Sequence, residues 1–295
     1  MIATAVLVLP NFVLILMGLV LSRRFSYARV FWEGLEKLVY YVLFPALLLR
    51  SLALARIDLA ATGVLVACAL GFTLAGFVLS LVPGLFGADR RTLATGSQCA
   101  YRFNTYIGLA VAGSLFGDAG VALAALLLGA MIPLVNVTAV AMLAAHGRRG
   151  LFLELASNPL LVSTLAGFAW NASGLAMPGF ISQTLLLSGQ ASLPAGLLCV
   201  GAAMRIARGA GSATLHGYWL SVKLVVVPCI ALALIRAFDL QGMQAKILLL
   251  CAALPTATNA YVLAVRMAGD GRVAALQVTL GTLASMATLP IWMAV

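Results

Sequence analysis

Charge is scarce in this 295-residue sequence. Only 9% of its residues are Asp, Glu, Lys or Arg, against roughly 25% in soluble domains. That shortage excludes a water-soluble enzyme, a disordered chain and a nucleic-acid binder. Histidine is almost absent, with His146 and His216 alone. The five cysteines (Cys68, Cys99, Cys199, Cys229, Cys251) lie in apolar stretches without CxxC or Cys/His spacing, so they read as small buried hydrophobes and not as a disulfide or metal site. No GxxxxGK[ST] motif is present, which disfavours ATP-driven transport by this chain alone. No cofactor is expected.

What the sequence has instead is hydrophobicity: 63% apolar residues and a mean hydropathy of +1.11. This is the composition of a polytopic, all-α membrane protein. A span needs about 20 apolar residues, and charges, Gly and Pro divide the chain into ten of them: 3–21, 38–55, 59–82, 92–116, 120–143, 153–171, 180–204, 216–236, 243–266 and 272–294. The first run has no basic residue before it and Arg23-Arg24 after it, the reverse of a cleaved signal peptide. Loops after odd-numbered spans carry twelve Lys or Arg residues and loops after even-numbered spans carry three (Arg56, Arg236, Lys246). The positive-inside rule then places the odd loops in the cytoplasm and both termini outside, in a cell (inner) membrane.

The two halves resemble each other. LPNFVLILMGLVL (9–21) aligns with NPLLVSTLAGFAW (158–170) at an offset of 149, which also carries Pro45 onto Pro194. GDAGVALAALLL (117–128) aligns with GDGRVAALQVTL (269–280) at an offset of 152. The expected units are residues 1–143 and 153–295. Five spans per unit is an odd number, so the second copy enters the membrane inverted, a design recurrent in secondary transporters.

Polar residues interrupt two spans at corresponding positions. Span 4 contains Gln98 and Tyr101-Arg102-Phe103-Asn104-Thr105-Tyr106; span 9 contains Leu254-Pro255-Thr256-Ala257-Thr258-Asn259-Ala260-Tyr261. Paired interruptions in two halves mark a transporter's binding site. Half-helix N-termini there favour an anion. The candidate substrate-binding residues are Arg102, Asn104, Thr105, Pro255, Thr256, Thr258 and Asn259. Arg102 has two readings, a functional charge at the break or an interfacial one reaching the headgroups, with the first favoured. Arg50 and Lys223 read as structural or interfacial. Asn136 and Thr138, after Pro133, read as marks of a kink or an interhelical hydrogen bond. Asp118 and Asp270 read as N-caps. All eight acidic residues fall in loops or at span edges, which disfavours a cation substrate.

Phe103-Asn104-Thr105 with Gly108-Leu109 and Phe116-Gly117, then Leu193-Pro194, then Ala253-Leu254-Pro255 followed by Gly269-Asp270, resemble in order and spacing the auxin efflux carrier family. Its bacterial members include malonate transporters and its plant members the PIN-FORMED exporters. The resemblance covers essentially the whole chain. It implies two inverted five-helix repeats with spans 4 and 9 broken and crossing. It also implies an elevator-type movement of spans 3–5 and 8–10 against a scaffold of spans 1, 2, 6 and 7, and a homodimer. The chain departs from the plant members in lacking a proline at the span 4 crossover, a lysine after Asp58, and a long loop between spans 5 and 6, where only Ala144–Phe152 stands. Auxin itself is therefore unsupported as the substrate.

The expectation is a secondary carrier for a small organic anion, a mono- or dicarboxylate, working by alternating access. The alternatives are an intramembrane enzyme, for which no nucleophile–base pair or GxSG motif is present, and a channel, which saturable counterflow would distinguish from a carrier.

Overall fold

The computed structural model describes residues 2–25, 27–54, 59–143, 159–205, 212–267 and 269–295. Asp58, the Ala144–Phe152 loop, His146, Glu154 and Asn158 lie outside the described residues, as do Arg56, Arg148, Arg149 and Arg208. All regular structure among the described residues is helical. The helices are α1 (Ile2–Arg24), α2 (Arg29–Leu38), α3 (Phe44–Ala53), α4 (Leu59–Ser80), α5 (Val82–Leu85), α6 (Arg90–Tyr101), α7 (Thr105–Leu143), α8 (Pro159–Ser173), α9 (Gly179–Ala203), α10 (Ala213–Ser221), α11 (Val227–Ala237), α12 (Gly242–Ala253), α13 (Asn259–Arg266) and α14 (Gly271–Ala294). Single π-helical turns, Val39–Leu43 and Val222–Val226, join α2 to α3 and α10 to α11.

Among the described residues six stretches are long and apolar enough to cross a bilayer: Val6–Arg24, Thr62–Leu85, Arg90–Leu143, Gly179–Ala203, Ala213–Ala237 and Gly271–Ala294. The chain is a multi-pass membrane protein. Large apolar side chains such as Leu7, Leu74, Val78 and Ile291 are exposed along these helices, as lipid-facing surface requires. The stretch Arg90–Leu143 has 54 residues. At about 1.5 Å per residue it would measure roughly 80 Å, more than twice the ~30 Å hydrocarbon core. It is interrupted at residues 102–104 and turned at Gly117, whose φ of 60° and ψ of −152° lie where only glycine sits without strain.

Both π turns have the same cause. Pro45 and Pro228 each stand two residues beyond a π turn. A helical proline has no N–H to donate and collides with the carbonyl four residues earlier; one wider turn relieves the collision. At Pro228 the carbonyl so released belongs to Leu224, and the Trp292 indole N–H donates to it at 2.8 Å.

Packing divides the helices into two groups. The most extensive contacts join α1 to α9 and α3 to α8 and α9, while α4, α6, α7, α11 and α12 pack mainly on one another, with α14 against α12, α13 and α6. Glycines allow the closest approaches in the first group. A Cβ on Gly18 would overlap the Leu198 carbonyl, one on Gly201 the Ile15 carbonyl, and one on Gly167 would press on the Leu49 carbonyl. Gly18 and Gly167 are 149 residues apart, and so are the residues they meet, Leu49 and Leu198.

Gly201→Ala is therefore expected to lower the melting temperature of the detergent-solubilised protein, with a cost at or above the ~1–3 kcal/mol typical of overpacking. Gly34→Ala in α2, where an added Cβ meets nothing within 4 Å, is expected to leave stability equal or slightly higher. Differential scanning fluorimetry of the two variants checks the contrast, and equal shifts would refute it.

Candidate transport site at the two helix breaks

The first break follows α6. Asp89 caps the start of that helix, its carboxylate accepting the Thr92 N–H at 3.0 Å. This backbone donor is the main cause that holds the Asp89 carboxyl below its usual range. At the other end Arg102 turns extended (φ −68°, ψ 154°), and α7 starts afresh at Thr105. The second break follows α12, where Leu254 is extended (φ −61°, ψ 140°) before α13 starts at Asn259.

The two breaks are bonded to each other. The Asn104 N–H donates to the Pro255 carbonyl at 2.8 Å. The Thr256 hydroxyl donates to the Cys99 carbonyl in the last turn of α6. The Gln98 amide donates to the Ala260 carbonyl in the first turn of α13 at 3.3 Å. Gln98, Asn104, Leu254 and Thr256 are all essentially inaccessible.

A cavity of about 60 Å³ opens where the breaks meet. At roughly 15 Å³ per water centre it holds about four waters or a comparably small solute. Of the residues expected from sequence, Arg102, Asn104, Thr105, Thr258 and Asn259 line it, together with Ala257. Pro255 and Thr256 do not: one contributes a carbonyl and the other a hydroxyl to the bonds between the breaks, so their part is to shape the site and not to line it. Asn104 is committed in a way that sequence does not reveal. Its side-chain oxygen accepts the Tyr106 and Ile107 N–H groups at 3.0 and 3.3 Å, capping α7 and using two of the amides that an anion at this helix end would otherwise take.

Arg102 is 8% exposed, and its Nη2 donates to the Asn136 side-chain oxygen at 2.9 Å. The position favours the functional reading of Arg102 over the interfacial one, because its largely buried side chain borders the cavity. Asn136 also lines the cavity, as do Tyr40 and Tyr106. From sequence Asn136 reads as the mark of a kink or of an interhelical hydrogen bond, and the bond to Arg102 fits the second reading, while its place in the cavity wall was not foreseen. Tyr106 stacks on Phe44, with ring centroids 4.6 Å apart. Thr258 faces a second, larger cavity of about 580 Å³ as well, whose walls carry Arg23, Glu33, Glu36 and Arg205.

The other residues singled out from sequence fall outside the cavity lining. Arg50 pairs with Asp118 at 3.3 Å. Asp270 caps α14 through the Arg272 and Val273 N–H groups, and one carboxylate oxygen of Asp118 takes part in that ion pair. Thr138 bonds back to the Leu134 carbonyl at 2.8 Å. Lys223 is buried and donates to the Ala252 carbonyl at 3.1 Å. Four of the cysteines are buried and Cys229 is exposed; all five are free thiols.

A helical membrane protein whose broken helices meet at a small cavity lined by both polar and apolar side chains is built like a transporter. The profile described as membrane transport protein matches residues 138–293, more than half of the chain, and the chain belongs to that family; the resemblance to the auxin efflux carriers is thereby met. It is a membrane transporter and not an enzyme. It is similar, at 28% identity over 307 residues, to a protein of Rhizobium meliloti (strain 1021) named "Putative malonate transporter", the match spanning 96% of this chain and 92% of that protein.

Asn104→Ala is expected to cost about 1 kcal/mol through loss of the α7 cap, and Asn104→Asp, which caps equally well, substantially less. Thermal unfolding in detergent checks the order of the two; a more stable alanine variant would remove the capping role.

Proposed function

We propose that the protein is a secondary carrier for a small organic anion, a carboxylate of the size of malonate, which it binds at the crossing of the two helix breaks. One observation carries this: Arg102, a buried guanidinium, is held by Asn136 at the wall of a small cavity where two half-helices begin. A cation in that setting is costly unless it has a task. Its donors form charge-assisted hydrogen bonds to a carboxylate, and the positive ends of α7 and α13 add to the same field. Because Asn104 already caps α7, direct contact with the substrate falls to side chains: Arg102, the Asn104 amide nitrogen, Thr105, Thr258 and Asn259. The relative named for malonate transport supports the same substrate size.

The architecture we infer is ten spans in two inverted five-span repeats, with both termini extracytoplasmic in the cell (inner) membrane and a homodimeric assembly. The repeat is supported by the reciprocal glycine contacts, Gly18 against Leu198 and Gly167 against Leu49. The division into a scaffold of spans 1, 2, 6 and 7 and a moving body of spans 3–5 and 8–10 is supported by the two packing groups. Movement of the second group past the first would carry the crossing from one membrane face to the other. The 580 Å³ cavity edged by Arg23 and Arg205 is then the cytoplasmic vestibule.

Proteoliposomes loaded with unlabelled malonate and given labelled malonate outside test the proposal. Wild type is expected to show saturable counterflow. Arg102→Ala is expected to lose 10- to 100-fold in apparent affinity, the equivalent of about 1.5–3 kcal/mol for hydrogen bonds to a charged group. Full activity in Arg102→Ala would move the site elsewhere, and anion conductance without counterflow would make the protein a channel.

A further inference from the structure

Four half-helix ends meet at the crossing, and their fields oppose one another. α7 and α13 begin there and present positive ends; α6 and α12 finish there and present negative ones. The two negative ends weaken the field that α7 and α13 offer an anion, and a cation placed on a negative end restores it. Arg102 follows directly on α6. For α12 the structure supplies a second cation from another helix. Lys223 is 2% exposed and lies in the π turn Val222–Val226. Its Nζ donates to the carbonyl of Ala252, one residue from the end of α12, at 3.1 Å. Arg102 and Lys223 are the buried Lys and Arg residues among the described residues, and no Asp or Glu is buried there.

Resting on the carrier reading above, we infer that Lys223 is a positioning residue of the transport site: its ammonium on the last turn of α12 cancels the negative end of that half-helix and sets the crossing to prefer a doubly charged anion over a singly charged one. The π turn belongs to this device. It adds one residue to the helix ahead of Pro228 and so sets which side chain of that turn reaches α12; π turns are frequent at functional sites in helices. Lys223 does not line the cavity, so it acts on the substrate through the field of α12 and not by contact.

The test compares two probes of one carbon framework, malonate and monomethyl malonate, in counterflow from proteoliposomes. Lys223→Met removes the charge and the donor to Ala252 and is one heavy atom shorter. Its KM for malonate is expected to rise at least tenfold while that for monomethyl malonate changes by less than threefold, with the melting temperature near wild type. Lys223→Arg should restore the malonate preference, and Lys223→Gln, a donor without charge, should not. If Lys223→Met does not accumulate as folded protein, the Arg and Gln variants decide the matter by the same ratio. Equal changes for both probes, or a Gln variant that retains the preference, would overturn the inference and leave the carrier reading intact. Wild type that moves neither probe would remove both.

Discussion

A helix broken inside a bilayer leaves several backbone groups at each end with no water to receive them, and the arrangement of this protein follows from how that demand is met. The two breaks answer each other. The Asn104 N–H goes to Pro255, the Thr256 hydroxyl to Cys99, and the Gln98 amide to Ala260. Each break thus receives groups from the other, and the two half-helix pairs are tied into one object. The cavity between them is what remains once the bonds are made, and the residues around it are those the bonds leave over.

The same economy governs charge. Within the described interior the formal charges of Lys and Arg residues stand without a buried carboxylate, while the acids with a resolved role work at helix ends: Asp89 and Asp270 as caps, and Asp118 as the counter-ion of Arg50. At Arg102 one polar contact is neutral: the Asn136 side-chain oxygen accepts from the guanidinium.

Much of this was legible in the sequence because lipid is an unforgiving solvent. A run of apolar residues broken by Arg102-Phe103-Asn104 or by Pro255-Thr256 cannot continue as an ordinary lipid-facing helix, so both breaks show directly in the residue pattern. The glycines at 18 and 167 likewise stand out at a constant offset. What was not legible depends on which groups meet across the fold. That Pro255 and Thr256 serve the bonds between the breaks, that Asn104 turns its oxygen onto its own helix, and that Asn136 reaches Arg102 from 34 residues away are matters of tertiary geometry. The π turns were hidden for a related reason. Proline signals a disturbed helix, but whether the helix kinks, breaks or widens depends on whether a partner such as Trp292 stands ready for the released carbonyl.

The bond between Asn104 and Pro255 joins main chain to main chain, and this has a consequence for divergence. Nineteen of the twenty amino acids carry the N–H that position 104 must donate, and all twenty carry the carbonyl that position 255 must accept with. This one bond thus places almost no demand on side-chain identity, and only proline at 104 abolishes it, whereas the Gln98 and Thr256 bonds do depend on their side chains. Side chains around the cavity can drift while this backbone link stays closed. A lineage built this way can acquire new cargoes by point substitution around the cavity, with no need to rebuild the crossing each time.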